Sequence, residues 1–479
     1  MSSRPVSAPR HSTDEAPGRR LFLKAAGSTA LAGAVGTLPF TAAPAHAAAR
    51  TPAPDVIVIG AGYAGGIAAR ELAAQGLNVT VVEARNRIGG RIWTDTMSGA
   101  RIELGGGWLS PDHQLVAQEM QRYGLSNVGD VVPTQSIMPG TNGFQALSPA
   151  DANTHLGTLF SQFYAGSETY FAHPHDPLYR ADLLQQQDLL SFSGRLAQLS
   201  MSTLDKRWLA GYFTAYTGNQ NGIRAMTSMA QWWALGGWTM DGWEKQTAFK
   251  PTGGMTELLD KMLATPGINL MLSSPVTSVT STATGVQVQL NGGQVLSARA
   301  VVVATPVNVW KAIQFNPGLP TAHVAATMEG VGVSLATKLW IHLSGNVDAV
   351  YAQGTENSAL PLLIPQQQLP GGGRLMVGFA GSSLNVADQT AVQNAVQAYI
   401  PGATIVTYRA QQWGTDVWSR GGWGLRRPSQ LLRQLPALQQ PQGRVVFAGS
   451  DIASGWSGAF IEGALETGLS AAQKAAALV

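Results

Sequence analysis

The stretch Asp55-Val56-Ile57-Val58-Ile59-Gly60-Ala61-Gly62-Tyr63-Ala64-Gly65 decides the fold. Its first five residues form a short apolar run rich in β-branched side chains, which is typical of a buried parallel strand. An Ala-rich helical stretch, Ile67 to Gln75, follows the glycines, and Gly76 closes it. A second apolar run, Asn78 to Val82, leads into Glu83. This order of strand, glycine loop, helix, strand and acid predicts an α/β dinucleotide-binding unit of the Rossmann type.

Each residue of the glycine loop has a predicted task. Gly60 permits the tight turn, Gly62 lets the backbone approach a pyrophosphate, and Gly65 lets the helix pack on the strand. The start of the helix offers unpaired N–H groups and the positive end of the helix dipole to the phosphates, and Ala64, in the loop before it, is a predicted cofactor contact. Glu83 follows the second strand and can accept hydrogen bonds from both ribose hydroxyls.

Two further segments favour FAD over NAD. The first, Glu83-Ala84-Arg85-Asn86-Arg87-Ile88-Gly89-Gly90-Arg91, continues the acid into a basic loop with paired glycines. The second, Glu103-Leu104-Gly105-Gly106-Gly107-Trp108, places three glycines before an aromatic residue. Consecutive glycines let backbone lie against a flat ring system, and Arg91 can meet a phosphate or a ribityl group. The cofactor-binding residues predicted here are Ala84, Arg85, Gly90, Arg91, Gly106, Gly107 and Trp108, and Trp108 is also a predicted substrate contact.

The distal part of the chain carries a second set of motifs. Gly443-Arg444-Val445-Val446-Phe447-Ala448-Gly449-Ser450-Asp451 has the pattern of a strand that ends in an acid. Gly455-Trp456-Ser457-Gly458-Ala459-Phe460-Ile461-Glu462-Gly463-Ala464 then opens an Ala-rich C-terminal helix. Together with the first motifs, these segments resemble the flavin-containing amine oxidase family, which includes monoamine and polyamine oxidases. Within it, the nearest likeness is to bacterial nicotine and pseudooxynicotine amine oxidases, and it extends over residues 54–475.

The resemblance implies a discontinuous, Rossmann-like FAD-binding domain of the glutathione-reductase/amine-oxidase type, with an inserted α+β substrate domain. The FAD-binding domain is expected at 54–130, 251–306 and 411–475, and the substrate-binding domain at 131–250 and 307–410. The C-terminal helix would point its N terminus at the flavin pyrimidine edge, where its dipole stabilises the negative charge of the reduced ring. Further cofactor residues implied by the resemblance are Val276, whose backbone meets the adenine, Ser450, Asp451, Gly458, Phe460 and Ile461.

The chain departs from the family pattern at two places. Ser450-Asp451 stands where the family commonly has Thr-Glu or Ser-Glu. The stretch between Trp456 and Gly463 is one residue longer than in monoamine oxidases, so the sequence leaves open whether Ala459 or Phe460 faces the substrate. A third point concerns attachment of the cofactor: some relatives bind FAD through a cysteine, and this chain has none. FAD is therefore expected to be held non-covalently.

Lys338 is the predicted catalytic residue. It lies in the apolar run Val333-Ser334-Leu335-Ala336-Thr337-Lys338-Leu339-Trp340-Ile341, where an ammonium is costly to bury without a partner. In the family, the matching lysine holds a water at flavin N5, so the resemblance implies that Lys338 positions water and assists reoxidation. Trp423, after the pair Gly421-Gly422, is expected to form one aromatic wall of the substrate cavity, and Phe460 the other. Such walls exclude water and favour a neutral amine over its ammonium form.

The implied reaction is oxidation of an amine C–N bond to an imine by hydride transfer to flavin N5, followed by hydrolysis. The expected partners are a small amine and an electron acceptor, either O2 or a c-type cytochrome. An α-amino acid oxidase is a near alternative. Such enzymes carry an Arg for the substrate carboxylate shortly after the glycines that match Gly106-Gly107, and this chain has Trp108-Leu109 there instead. Two further candidates are a desaturase acting on C–C bonds and a non-catalytic exported flavin-binding protein. The sequence predicts no metal site and no nucleic-acid partner, and it leaves a homodimer open.

The first 47 residues are interpreted as an export signal. Arg19-Arg20 precedes a weakly apolar run that extends to Phe40, and Ala45-His46-Ala47 supplies the small residues that a signal peptidase recognises. Outside this segment, the chain has 26 basic and 26 acidic residues. The net charge of +3 therefore comes from the leader and does not indicate an anionic partner. Twin-arginine export carries folded proteins, so we expect a periplasmic or extracellular enzyme that leaves with its cofactor bound.

Overall fold

The computed structural model describes residues 53–479, and the predicted signal at 1–47 lies outside this range. The strands are β1 Val56–Ile59, β2 Val79–Val82, β3 Thr94–Met97, β4 Ala100–Glu103, β5 Asn127–Gly129, β6 Gln135–Pro139, β7 Phe144–Leu147, β8 Phe249–Pro251, β9 Ile268–Met271, β10 Val276–Ser281, β11 Val286–Leu290, β12 Val295–Ala298, β13 Ala300–Val303, β14 Gln314–Asn316, β15 Thr337–Leu343, β16 Val350–Gln353, β17 Leu362–Gln368, β18 Arg374–Phe379, β19 Ile405–Gln412 and β20 Val445–Phe447.

Helices occur between these strands and close the chain. They are α1 Tyr63–Ala74, α2 Gln114–Arg122, α3 Pro149–Phe163, α4 Ser167–Tyr170, α5 Ala181–Gln187, α6 Phe192–Ala197, α7 Thr203–Thr217, α8 Met226–Leu235, α9 Met240–Lys245, α10 Met255–Leu263, α11 Thr321–Glu329, α12 Gln389–Gln397, α13 Gln430–Leu438 and α14 Ile461–Ala476, with 3₁₀ turns at Val307–Ala312 and Ser450–Ile452. None of the helices in residues 53–479 combines the length and the apolar composition that crossing a bilayer requires.

A five-stranded parallel sheet forms the centre of the nucleotide-binding part, in the order β20-β13-β1-β2-β9. Every residue of β1, β2, β13 and β20 is buried. Both faces of a parallel sheet are covered, which explains why these strands are uninterrupted runs of mainly Val and Ile rather than alternating patterns. The sheet takes its strands from three distant stretches of the sequence, which accords with the expected discontinuous fold.

The first helix begins four residues earlier than the sequence pattern predicts. It starts at Tyr63, with Gly62 as its N-cap, and ends at Ala74. The pattern misplaced the start because glycines are poor helix formers, whereas here two of them lie inside the first turns. A Cβ on Gly65 would lie 1.9 Å from the Gly60 carbonyl oxygen, so only glycine lets the helix approach the strand this closely.

A seven-stranded sheet, in the order β19-β15-β18-β17-β16-β6-β7, forms the second large layer. Two of its strands, β6 and β7, lie in the segment 131–250, and β6 pairs in parallel with β16. The sequence of this segment predicts helices, so these two strands are a correction to that prediction. Helices α3 to α9 pack beside the sheet around buried aromatic rings. Phe160 is a centre of this cluster, with edge contacts to the rings of Tyr212, Trp233 and Trp243. The aromatic residues of these helices share one hydrophobic core with residues of β1 and β2 in the parallel sheet, and this packing holds the helices in place.

Candidate active site

A cavity of about 680 Å³ runs from the β1–α1 turn to the aromatic helices, and residues from Ile59 to Ala464 line it. This volume lies within the range of small-molecule and cofactor sites. The predicted site residues that line it are Gly60, Gly62, Ala64, Glu83, Ala84, Arg85, Gly90, Arg91, Gly106, Gly107, Trp108, Val276, Lys338, Trp423, Ser450, Gly458, Phe460 and Ile461. Gly65 and Asp451 are not among the lining residues, because Gly65 packs against the strand and Asp451 lies behind Arg91.

Glu83 occupies the position expected of a ribose acceptor at the carboxyl end of β2. The residue is buried, and its two carboxylate oxygens accept hydrogen bonds from the backbone N–H groups of Ala61 and Arg85, each at 2.9 Å. A carboxylate has about four acceptor sites, so each oxygen keeps capacity for a further donor. The backbone thus holds this carboxylate rigidly while leaving it able to bind two hydroxyls.

Gly60 and Gly62, in the β1–α1 turn, are glycine for different reasons. Gly60 has a φ of +105°, and a Cβ on it would lie 3.0 Å from the Ala304 carbonyl oxygen, so the protein itself requires glycine. Gly62 has an ordinary φ of −89°, and a Cβ there would meet only the Gly89 backbone, at 3.7 Å. Gly62 lines the cavity, so the space around it is reserved for a bound group rather than for protein.

The basic residues predicted to meet the cofactor are held by acids. Arg91 pairs with Asp451, with 2.8 Å between Nη1 and Oδ1, and the second Asp451 oxygen accepts from the Val307 N–H. Arg85 donates to Asp416 at 2.6 Å. These ion pairs fix both guanidinium groups at the cavity wall. They also tie the loop after β2 to residues more than 300 positions later in the chain.

The N terminus of α14 faces the cavity through Phe460, Ile461 and Ala464. No side chain caps it. Glu462, the acid of its first turn, instead accepts from the N–H groups of Leu115 and Val116, at 2.8 and 2.9 Å, and so caps α2. The positive end of the α14 dipole is therefore left to act on whatever lies in the cavity.

Lys338 lies on β15 with its side chain inside the protein. Its ammonium donates to the Gly105 carbonyl oxygen at 2.9 Å and lies 4.3 Å from the centre of the Trp108 indole. Burial lowers the pKa of Lys338 to about 7, and the nearby Glu103 carboxylate opposes this shift. Burial also raises the pKa of Glu103. Lys338 therefore changes its charge close to neutral pH.

A second lysine, Lys250, stands beside this group. Its ammonium pairs with Asp130 at 2.6 Å and with the Gln366 side-chain oxygen, and it lies 5.4 Å from the centre of the Trp108 ring. Asp130 also accepts from the Trp108 indole N–H at 2.5 Å. The sequence did not single out Glu103, Lys250 or Asp130, although Glu103 directly precedes the three glycines. Asp130 holds Trp108 through its indole N–H, and the charges of all three residues act on Lys338.

Trp423 and Phe460, the two predicted walls, have different surroundings. Trp423 is half-buried, donates its indole N–H to the Tyr216 carbonyl at 2.6 Å and meets Phe379 edge-on at 5.5 Å. The ring centre of Phe460 lies within 5.3 Å of the ring centres of His113, Trp232 and Trp456. Its neighbour Ala459 is exposed, and both residues line the cavity. The turn thus directs Phe460 toward an aromatic cluster.

Comparison with known proteins identifies this arrangement. A family model described as flavin containing amine oxidoreductase matches residues 63–476.

The chain belongs to this family.

The amine oxidoreductase is 31% identical over 426 residues to a nicotine dehydrogenase of Pseudomonas putida, covering 88% of each sequence. It is 28% identical to the (S)-6-hydroxynicotine oxidase of Paenarthrobacter nicotinovorans, covering 86% of this chain and 97% of that protein. Among solved structures, it matches cyclohexylamine oxidase from Brevibacterium oxydans with a TM-score of 0.75, at 22% identity and covering 89% and 99% of the two chains. Putrescine oxidase with bound putrescine also gives a TM-score of 0.75, at 21% identity and covering 88% and 99%. These structures show the shared fold.

FAD is the cofactor of this amine oxidoreductase, and the residues present fit it. The N termini of α1 and α14 both reach the cavity without a side-chain cap. Thr305, which also lines the cavity, has a buried hydroxyl without a hydrogen-bond partner in residues 53–479. Because the chain lacks cysteine, a thioether link to FAD is impossible. Non-covalent binding of the cofactor stays a prediction. The enzyme is an FAD-dependent oxidoreductase acting on CH–NH or CH–NH₂ groups.

Several residues of the substrate end of the cavity were missed by sequence reasoning. Tyr212 and Tyr216 are four residues apart on α7, and this spacing on one helix face was the available signal. The sequence alone allows two interpretations of the Trp-rich segment 232–243, packed core or cavity wall, and the structure shows both. Trp233 is core, while Trp232 and Trp243 line the cavity. The remaining missed lining residues at this end include Tyr351, Phe379, Leu362, Ile364, Met138, Leu156, Asn153 and Glu244.

Proposed function

We propose that this amine oxidoreductase oxidises a ring-bearing, largely apolar amine, in preference to an α-amino acid or a polyamine. One observation carries the proposal: eight aromatic side chains line the substrate end of the cavity. These lining residues are Tyr212, Tyr216, Trp232, Trp243, Tyr351, Phe379, Trp423 and Phe460. Aromatic surfaces bury flat apolar groups favourably and lower the polarity around the amine.

The charged groups of the cavity support the same conclusion. Its basic lining residues are Arg85, Arg91 and Lys338; the two arginines are paired with acids, and Lys338 is bound to a carbonyl oxygen. Neither arginine is free to bind a substrate carboxylate, and Lys338 is a poor partner because burial lowers its pKa to about 7. A carboxylate is costly to bury unpaired. The acids that line the cavity are Glu83 at its nucleotide end, Asp130, which is paired with Lys250, and Glu244, whereas a polyamine carries several ammonium groups.

The protein residues prepare the amine for oxidation. When bound, FAD supplies the acceptor for the hydride equivalent that leaves the carbon next to nitrogen. Trp423 and the rings around it exclude water and favour the neutral amine, whose lone pair assists that departure. Lys338 can hold a water through its ammonium and carries its charge next to the glycine backbone that lines the cavity.

The relatives support this substrate class by their names, since nicotine and 6-hydroxynicotine are ring-bearing amines. The test is anaerobic mixing of the yellow holoprotein with ring-bearing amines, linear polyamines, α-amino acids and an extended polyene. We expect the ring-bearing amines to bleach the flavin absorbance fastest. Faster bleaching by an α-amino acid or a polyamine would contradict the proposed substrate class, and bleaching by the polyene alone would contradict amine oxidation.

The electron acceptor and the cellular location extend the proposal. The acceptor is O2 or a c-type cytochrome. Release of H₂O₂ in air would indicate O2, and reduction of added cytochrome c without H₂O₂ would indicate the cytochrome.

We infer export by the twin-arginine route from Arg19-Arg20 and the segment after it. Replacing both arginines with lysine should abolish the appearance of activity outside the cytoplasm. A homodimer stays a prediction, which sedimentation of the purified protein would test.

A further inference from the structure

A chain of hydrogen bonds ends at the substrate cavity. The Trp243 indole N–H donates to the Tyr212 hydroxyl oxygen at 2.6 Å, and the Tyr212 and Tyr216 hydroxyls lie 3.2 Å apart. Tyr212 and Trp243 are buried and Tyr216 is half-buried, and all three line the cavity. The two phenol rings stack with their centres 5.2 Å apart. The geometry therefore fixes the hydroxyl of Tyr216 relative to α7 and α9.

The direction of this chain follows from donor chemistry. An indole N–H can only donate, so the Tyr212 oxygen accepts from Trp243. A buried hydroxyl needs a partner for its own hydrogen, and the Tyr216 oxygen is the remaining partner of Tyr212 in residues 53–479. Burial raises the pKa of both tyrosines, so each keeps its proton. Tyr212 thus donates to Tyr216, and the Tyr216 proton is left without an acceptor in this part of the chain.

We propose that Tyr216 donates a hydrogen bond to a neutral acceptor on the substrate, apart from the amine that is oxidised. The acceptor is a carbonyl oxygen, an ether or hydroxyl oxygen, or a pyridine-type nitrogen. A single phenol in an aromatic cavity satisfies a neutral acceptor, whereas a carboxylate would need more donors or a cation. This inference rests on the proposed function and narrows its substrate class.

The position of Tyr216 makes it suited to orient the amine. Its backbone carbonyl accepts the indole N–H of Trp423, so one residue positions both a cavity wall and the proposed donor. It is the penultimate residue of α7, whose C-cap is Gly218 with φ +60°, where a Cβ would lie 3.0 Å from the Val333 side chain. The end of α7 is therefore packed against the segment that precedes β15, and this packing holds the donor and the wall in place.

The test compares matched amines on the oxidised holoprotein. The probes are 1-methyl-2-(pyridin-3-yl)pyrrolidine and its phenyl counterpart, together with 4-(methylamino)-1-phenylbutan-1-one and the analogue that lacks the carbonyl. Binding is measured anaerobically from the rapid change in the flavin spectrum before bleaching. We expect the wild type to bind at least one acceptor-bearing probe roughly tenfold more tightly than its partner, and Tyr216→Phe to lose this preference.

Two further variants keep the test decisive. Tyr212→Phe/Tyr216→Phe removes the donor without leaving the Tyr212 hydroxyl unpaired, and it should lose the preference equally. Tyr351→Phe removes another phenol that lines the cavity, and it should retain the preference. No preference in the wild type, or a preference that depends on Tyr351, overturns the proposal. Failure of every amine to bleach the flavin would instead contradict the proposed function, because the binding comparison does not require turnover.

Discussion

The ammonium of Lys338 lies 4.3 Å from the centre of the Trp108 indole ring, within the range of a cation–π interaction. The two residues come from segments 230 positions apart, and both line the cavity. Burial lowers the pKa of Lys338 to about 7, so the ring faces a lysine that is charged only part of the time near neutral pH. Trp108 therefore stabilises the charged form of a lysine that its surroundings otherwise favour as neutral.

Replacing Lys338 with methionine should slow reoxidation of the flavin more than its reduction by an amine. Methionine fills similar space, but it cannot hold water or place positive charge where reaction with O2 builds negative charge. We expect a loss of roughly tenfold or more in the reoxidation rate, measured by stopped-flow mixing of the reduced enzyme with O2. In the wild type, this rate should fall as pH rises through about 7, and the variant should lack that transition. An unchanged rate and pH profile would contradict the role given to Lys338.

Replacing Lys250 with methionine should move that transition to higher pH. Lys250 places a second positive charge near Lys338, so its removal raises the pKa of Lys338. Asp130→Asn should move the transition to lower pH, because it removes a negative charge while the amide can still accept from Trp108. The charged groups facing Lys338 are thus Glu103, Asp130 and Lys250. Shifts of the same sign in both variants would refute this electrostatic account.

Alanine substitutions at Gly62 and Gly65 should separate cofactor binding from folding. At Gly65, the Cβ would lie 1.9 Å from the Gly60 carbonyl oxygen, so we expect the free energy of unfolding of the apoprotein to fall by about 3 kcal/mol. At Gly62, the nearest protein atom is 3.7 Å away and φ is −89°, so the apoprotein should keep its stability. Gly62→Ala should instead weaken FAD binding roughly tenfold or more, because the methyl group occupies pyrophosphate space. Chemical denaturation and FAD titration measure the two effects, and normal FAD affinity in Gly62→Ala would contradict this assignment.

Asp451→Asn should destabilise the apoprotein by about 2 kcal/mol, because it leaves the Arg91 guanidinium without its charged partner. The Arg91 side chain is 20% exposed, and partial contact with water keeps the loss below that of a fully buried pair. Asp95→Asn is the matched control, since its ion pair with Arg409 is about one-third exposed and should contribute less than about 1 kcal/mol. Urea denaturation of both variants measures the difference, and equal losses would argue against a special role for Asp451.

His113 should make the protein less stable in acid. Burial lowers its pKa from 6.5 to about 3, so between these values the unfolded chain binds a proton that the folded protein does not. Stability therefore falls as pH decreases, by about 1.4 kcal/mol per pH unit from this one group. In His113→Asn, the slope of unfolding free energy against pH between 6.5 and 4.5 should be shallower. His173→Asn, at an exposed position, is the control and should leave the slope unchanged.

The nucleotide end of the site was predictable because the residues that form it lie close together in the sequence. A buried strand, closely spaced glycines and an acid after the next strand have fixed spacing, and Gly60, Gly62 and Glu83 line the cavity as expected. Local patterns failed at boundaries, such as the start of α1. They also missed β9, whose residues Ile268–Met271 include Asn269 and alternate poorly, since it lies at the sheet edge.

The substrate end was harder to predict because its parts meet only in the folded protein. Lys250 and Asp130 are 120 residues apart, and nothing in either neighbourhood indicates an ion pair. Ala459 and Phe460 show the same limit at short range, since the sequence could not tell which of two adjacent residues points into the cavity. The aromatic cluster that receives Phe460 includes His113 and Trp232, from two other segments, and tertiary packing sets the direction of the turn.

The parallel sheet cannot be completed until late in synthesis of the chain, because neighbouring strands lie far apart in the sequence. β1 leaves the ribosome early, but its partner β13 follows more than 240 residues later, and β20 and α14 come only with residues 445–476. A nascent chain therefore displays the dinucleotide motif long before it can retain FAD. A premature stop shortly before Val445 should give a colourless product that depends on chaperones, however intact its amino-terminal motif.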